Sequence, residues 1–197
     1  MRAVAVASLV VAVLSQPVTA RAEWFAAPFL GVKFAGSSNF VDLDRAAGER
    51  KLTVGGMAGF LSPGVLGIEV DASYTPGFFE RSGGTNLLTG SSVSTLMGGV
   101  IAAVPTSVVG DSLRPYVTGA IGLIHVGLED IVDIFTVRTN LLGIGVGGGA
   151  IGPIGRRTAL RFELRYIKSL GSADDAVLFG ETQVSFWRAG VAVVFRP

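Results

Sequence analysis

Thr158-Ala159-Leu160-Arg161-Phe162-Glu163-Leu164-Arg165-Tyr166-Ile167-Lys168 decides how the chain is read. From Leu160 to Tyr166 it alternates without a break. Leu160, Phe162, Leu164 and Tyr166 share one face, and Arg161, Glu163 and Arg165 share the other. A period of two marks a β-strand with one apolar and one charged face. In a water-soluble sandwich the charged face looks outward. In a membrane barrel the apolar face meets lipid and the charges fill the lumen. Turning an arginine to lipid near the midplane costs about 2–4 kcal/mol, so in a membrane the charged face is the inner one.

The N-terminus reads as an export signal. Arg2 precedes an apolar run over 3–14 that only Ser8 interrupts. Ser15-Gln16-Pro17 ends any helix, and Val18-Thr19-Ala20 and Ala20-Arg21-Ala22 both fit small-x-small cleavage. The run falls short of the ~20 residues a spanning helix needs. We expect a cleaved signal over 1–22, with the cut after Ala22 or, as second choice, Ala20, and one domain over 23–197. Losing Arg2 and Arg21 takes Lys+Arg from 16 to 14 against 15 Asp+Glu, a net charge of −1. That balance gives no support for a nucleic-acid partner. The chain has no cysteine, which removes disulfides, thiol catalysis and cysteine-based metal sites together. Mean hydropathy is high at +0.57, yet no helix of membrane length follows the signal. All 28 glycines lie beyond residue 22, a poor choice for helices. Exported, apolar, glycine-rich and alternating is how a transmembrane β-barrel looks in sequence.

The alternation gives eight strands, near 28–35, 52–61, 66–75, 92–104, 114–128, 138–150, 158–168 and 182–195. In the third, Leu66, Ile68, Val70, Ala72 and Tyr74 oppose Glu69, Asp71, Ser73 and Thr75. In the first, Leu30, Val32 and Phe34 oppose Lys33, and in the eighth Trp187, Val191, Val193 and Phe195 oppose Arg188. The fourth is ambiguous in face and is read with Leu96, Val100, Ala102 and Val104 outward and Gly98 inward. Longer loops follow strands one, three, five and seven, and shorter turns follow two, four and six, an asymmetry expected of long extracellular loops and short periplasmic turns. Two aromatic belts are expected: Phe25, Phe60, Tyr116 and Phe195 at the periplasmic ends, and Phe34, Tyr74 and Tyr166 at the outer ends.

The runs Arg161–Tyr166, 114–122 (RPYVTGAIG) and 186–195 (FWRAGVAVVF) resemble the OmpA-like and opacity-protein group of eight-stranded outer-membrane barrels. The resemblance covers the whole mature chain as a pattern. It implies an all-β, antiparallel, up-and-down transmembrane barrel in the outer membrane of a Gram-negative-type cell, without a catalytic site. It also implies that the last strand serves as an assembly signal, with Trp187, Val191, Val193 and Phe195 read by the barrel-insertion machinery. Outer-membrane lipid and lipopolysaccharide surround such a barrel, and its loops offer a surface to an extracellular protein partner.

Lys33, Glu69, Asp71, Arg161, Glu163, Arg165 and Arg188 are the candidate site residues. They form a lumen charge network, and an eight-stranded barrel is only wide enough for side chains to fill. A gated small-solute pore is the alternative. His125, the only histidine, raises acyl transfer to or from lipid. A serine nucleophile two positions on would share its face, but that residue is Gly127, so a lipid-modifying enzyme lacks a partner group. The run 143–150 (GIGVGGGA) touches a dinucleotide fingerprint, but Gly152-Pro153 follows instead of a phosphate-binding helix. No cofactor is expected. Acids at Asp42, Asp44, Glu129, Asp130, Asp133, Asp174 and Asp175 read as solvated loop charge, without calcium-loop spacing. A secreted, lipocalin-like ligand carrier stays open, because inverting every face is physically allowed.

Overall fold

The computed structural model describes residues 23–38, 48–78, 88–110, 112–130, 136–170 and 183–196. Eight strands run in order: β1 (Glu23–Ser38), β2 (Lys51–Leu61), β3 (Leu66–Pro76), β4 (Leu88–Ala103), β5 (Arg114–Asp130), β6 (Thr136–Pro153), β7 (Thr158–Ser169) and β8 (Val184–Phe195). One short helix, α1 (Thr106–Val109), lies between β4 and β5. Each strand pairs antiparallel with the next, and β8 returns to β1, closing the sheet. Closure removes the unpaired edge that an open sheet leaves exposed. The seam carries one irregularity, between Phe34 and Ser37. There Ala35 adopts φ 47°, a left-handed backbone that fits a local bulge.

The alternation read in β7 sets its faces. Ala159, Arg161, Glu163, Arg165 and Ile167 point inward, and Phe162 and Leu164 point outward. The same parity runs round the barrel. Leu30, Leu52, Ile68, Leu96, Ile121, Ile144, Phe162 and Val191 all stand exposed on the outer wall. Among the outward strand positions whose side chains are described, the only Asp, Glu, Lys or Arg is Lys168, near the end of β7. An apolar band of this extent far exceeds the patches that soluble monomers expose. It is the surface a lipid bilayer covers.

Three readings of face change. Gly98 points outward with Leu96 and Val100, since all three share one parity in β4. Phe25 and Tyr116 point inward, 4% exposed each, and belong to the interior rather than to an aromatic belt. The outward aromatics at that end are Trp24, which pairs with Phe60, and Phe195. At the other end Phe34, Trp187 and Tyr166 sit side by side across β1, β8 and β7, with the Tyr166 and Trp187 ring centroids 5.1 Å apart. The strands also run longer than their periodicity shows: β1 starts at Glu23 and β6 reaches Pro153.

Candidate functional site

The lumen is stacked in three layers. On β7 the inner face reads Ala159, then Arg161, Glu163 and Arg165, then Ile167. On β8 it reads Val194 and Ala192, then Arg188, then Phe186 and Val184. Apolar residues therefore bracket the charges on both strands. Towards the end where β1 begins, Phe25, Phe29, Met57, Leu61, Tyr116 and Ile151 belong to one packed cluster. Towards the loop end, Phe78, Met97, Ile124, Leu141, Ile167 and Phe186 belong to a second.

Between them lie three arginines and three carboxylates, each at most 8% exposed. Arg161 Nη1 lies 2.8 Å from Glu69 Oε2, and Arg161 Nη2 bonds Glu163 Oε2. Arg165 Nη2 lies 2.5 Å from Glu69 Oε1, and its Nε 2.9 Å from Glu163 Oε1. Arg188 grips Asp71 with two nitrogens, at 2.9 and 2.7 Å, and reaches Glu163 Oε1 at 3.3 Å. Such forked arginine–carboxylate pairs are the strong, directional members of their class. The charges balance three against three.

Register explains why the cluster spans the lumen. Arg165 and Arg188 stand directly opposite each other on β7 and β8, and Arg188 stands opposite Lys33 on β1. Like charges in facing positions destabilise a sheet. The compensating acids come from Glu163, one step along β7, and from Glu69 and Asp71 on β3. In the closed order β3 and β7 are four strands apart either way, on opposite walls. An eight-stranded barrel is narrow enough for these side chains to meet. The ion pairs are struts from wall to wall.

Neutral groups complete the cluster. Tyr116 donates to Glu163 Oε2 at 2.9 Å and accepts from Arg161 Nε at 2.7 Å. Thr118 donates to Glu69 Oε1 at 2.9 Å. The Arg161 and Arg188 guanidinium carbons each lie 4.5 Å from a ring centre, of Tyr116 and Phe29 respectively, a favourable cation–ring geometry. The glycines of β6 make the room. Opposite Glu163 and Arg165 stand Gly149 and Gly147, and a methyl on Gly149 would sit 2.9 Å from the Tyr116 oxygen.

Lys33, the remaining candidate, lies apart from this cluster. It is 0% exposed. Its Nζ donates to the Phe78 carbonyl at 3.2 Å and stands 3.8 Å from the centre of that ring. Phe78 in turn packs edge-on against Phe186, with centroids 5.2 Å apart. The residue that starts the second long loop is thus held inside the barrel mouth.

No protein-family model matches the sequence, and no curated protein matches it. Solved structures do. Neisserial surface protein A aligns with a TM-score of 0.60 at 16% identity, covering 89% of this chain and 99% of that one. OprG, an outer membrane protein of Pseudomonas aeruginosa, gives 0.55 at 14% identity, covering 89% and 96%. The N-terminal β-barrel domain of Pseudomonas aeruginosa OprF gives 0.53 at 16%, covering 89% and 98%. The fold is that of the eight-stranded outer-membrane barrels. At these identities the likeness is one of fold alone.

In this outer-membrane barrel fold, His125 points outward near the loop end of β5. Its Nδ1 lies 2.7 Å from Asn140 Oδ1 on β6. Ser94 is its strand neighbour on the other side, and among the described residues no hydrogen bond joins the two. The histidine therefore has an orienting partner but, among the described residues, no nucleophile hydrogen-bonded to it. Trp187, Val191 and Phe195 are exposed and Val193 half-exposed on the outer face of β8. Among the described residues no group of three metal-binding side chains occurs. Asp42, Asp44, Asp133, Asp174 and Asp175 lie outside the described residues, as do the signal segment and the side chains of Glu129 and Asp130. Sequence reading missed Tyr116, Thr118 and Phe78 as partners of the charges. The alternation Arg114, Tyr116, Thr118 held the signal for two of them.

Proposed function

We propose that this chain is a non-enzymatic outer-membrane barrel whose lumen is sealed by charged side chains and whose work is done at its surface, in a structural or surface-interaction role. The observation that supports it is the stacked lumen: a balanced ion cluster closed on each side by packed apolar side chains. A pore needs a continuous hydrated path. Arg161, Arg165 and Lys33 are at most 1% exposed, which supports a closed lumen over a hydrated one. The bound surroundings are outer-membrane lipid and lipopolysaccharide on the apolar wall. The partner is an extracellular protein met by the loops after β1, β3, β5 and β7. Export uses the cleaved signal over 1–22, and insertion uses the outward row Trp187, Val191, Val193 and Phe195, read by the barrel-assembly machinery.

Planar-bilayer recording of the purified, folded barrel tests the sealed lumen. The expected trace shows no steady conductance. A large, steady conductance at low voltage contradicts the seal and makes the small-solute pore the better reading.

A further inference from the structure

At the end of the barrel where β1 begins and β8 finishes, the lumen opens into a pocket of about 190 Å³. Its walls are apolar: Phe25, Leu61, Ile151 and Val194. Its polar groups are Arg114, Arg161, Arg196, Glu23 and Thr106. Arg161, at the inner side, already has carboxylates beside it, in Glu69 and Glu163, and bonds Tyr116. Arg114 differs. It is 6% exposed, yet its only partners among the described residues are neutral carbonyls: Nε donates to Val104 at 2.7 Å, and Nη2 to Ser62 at 2.9 Å and Gly64 at 2.6 Å. Its Nη1 has no hydrogen-bond partner, and no carboxylate lies within ion-pair distance, among the described residues. A buried cation without a counter-ion is costly, and three carbonyl dipoles offset only part of that.

Arg196 stands on the same pocket, one-third exposed, with Glu23 at 4.0 Å, the limit of an ion pair. Arg156 and Arg157, exposed on the neighbouring β6–β7 turn, add positive charge to this rim. The rim thus draws anions, and the pocket behind it combines two under-neutralised guanidinium groups with an apolar wall. Its volume is below the ~300–1,000 Å³ of drug-sized sites. We infer that this pocket binds a small amphipathic monocarboxylate, with the carboxylate on Arg114 and Arg196 and the short apolar tail against Phe25, Leu61, Ile151 and Val194. A short fatty acid and a peptide C-terminus share that chemistry.

Methyl NMR of the full chain, folded in a zwitterionic micelle, reads the Ile151 and Val194 signals directly. The probes are hexanoate, hexylamine, N-acetylleucine and N-acetylleucinamide. Hexanoate shifts both methyls saturably, and hexylamine, with the same tail and opposite charge, does not. N-acetylleucine binding where its amide does not would assign the peptide-terminus source; hexanoate alone would assign the fatty acid. Arg196→Gln weakens hexanoate at least about tenfold, as loss of a charge-assisted bond requires, and Arg196→Lys retains most of it. Ile151→Trp fills the pocket and abolishes the shift of the remaining Val194 signal. Equal shifts from amine and carboxylate, or hexanoate binding unchanged in both Arg196→Gln and Ile151→Trp, overturn the inference.

Discussion

Glu163 holds the interior together more than any other side chain, because it is the acid that all three arginines of the cluster reach. Removing its charge leaves three cations against two carboxylates in a layer cut off from water. Breaking one partner of a buried pair costs about 3–5 kcal/mol. Glu163→Gln should lower barrel stability by that order in urea unfolding within lipid vesicles, followed by the fluorescence of Trp24 and Trp187. Removing a whole pair is a different matter. Asp71→Leu with Arg188→Leu leaves no orphaned charge at that strut and should cost less than Asp71→Leu alone. If the double variant is the less stable of the two, Asp71 and Arg188 are not each other's main partners. At this scale the sequence was half legible. That Arg161, Glu163 and Arg165 share a face follows from a period of two. That Arg188 takes Asp71 from across the lumen, with Glu163 only at 3.3 Å, follows from barrel closure and register, which no local pattern contains.

The element that most constrains the interior is β6, with inward glycines at 143, 145, 147 and 149. These are room for the β7 arginines rather than places of special backbone. A methyl at Gly149 would crowd the Phe162 carbonyl and the Tyr116 oxygen, so Gly149→Ala should destabilise by about 1–3 kcal/mol, as overpacking does. Gly98, on the outer wall of β4, has no atom within 4 Å of where an added methyl would sit. Gly98→Ala should therefore stabilise by about 0.4–1 kcal/mol through the unfolded chain. The same vesicle assay separates the two, and equal effects would mean that space inside the barrel is not what β6 provides. Gly98 was also misread from sequence, as was Tyr116. In glycine- and alanine-rich strands both faces look alike, so parity has to be carried in from a strand with charges. Carrying it from Arg114 through Tyr116 to Thr118 in β5 gives the observed inward row.

For the whole molecule, the legible part was the architecture. Eight alternating segments and their apolar faces are local or compositional signals, and the closed up-and-down order follows from them. The expected asymmetry of connections fails at one place, since 131–135 after β5 is shorter than 104–113 after β4. The short helix α1 and the extension of β1 to Glu23 were not visible, because four residues carry no helical period and Pro28 masks the strand's start. The apolar wall makes its own prediction. Val70 is 52% exposed between Glu69 and Asp71, at the level of the charge layer. Val70→Arg should cost about 2–4 kcal/mol in a bilayer, the figure for an arginine turned to lipid at the midplane, and little in water. A loss of stability confined to lipid identifies that wall as the membrane face.

The most direct measurement expresses the tagged chain with its N-terminal segment, separates the membranes, and runs the outer-membrane fraction boiled and unboiled on a gel. A closed barrel in the outer membrane predicts a band in that fraction that migrates faster unboiled than boiled. A protein recovered in the soluble periplasm or medium, without a heat-dependent shift, contradicts the membrane barrel and leaves its apolar outer wall without an explanation.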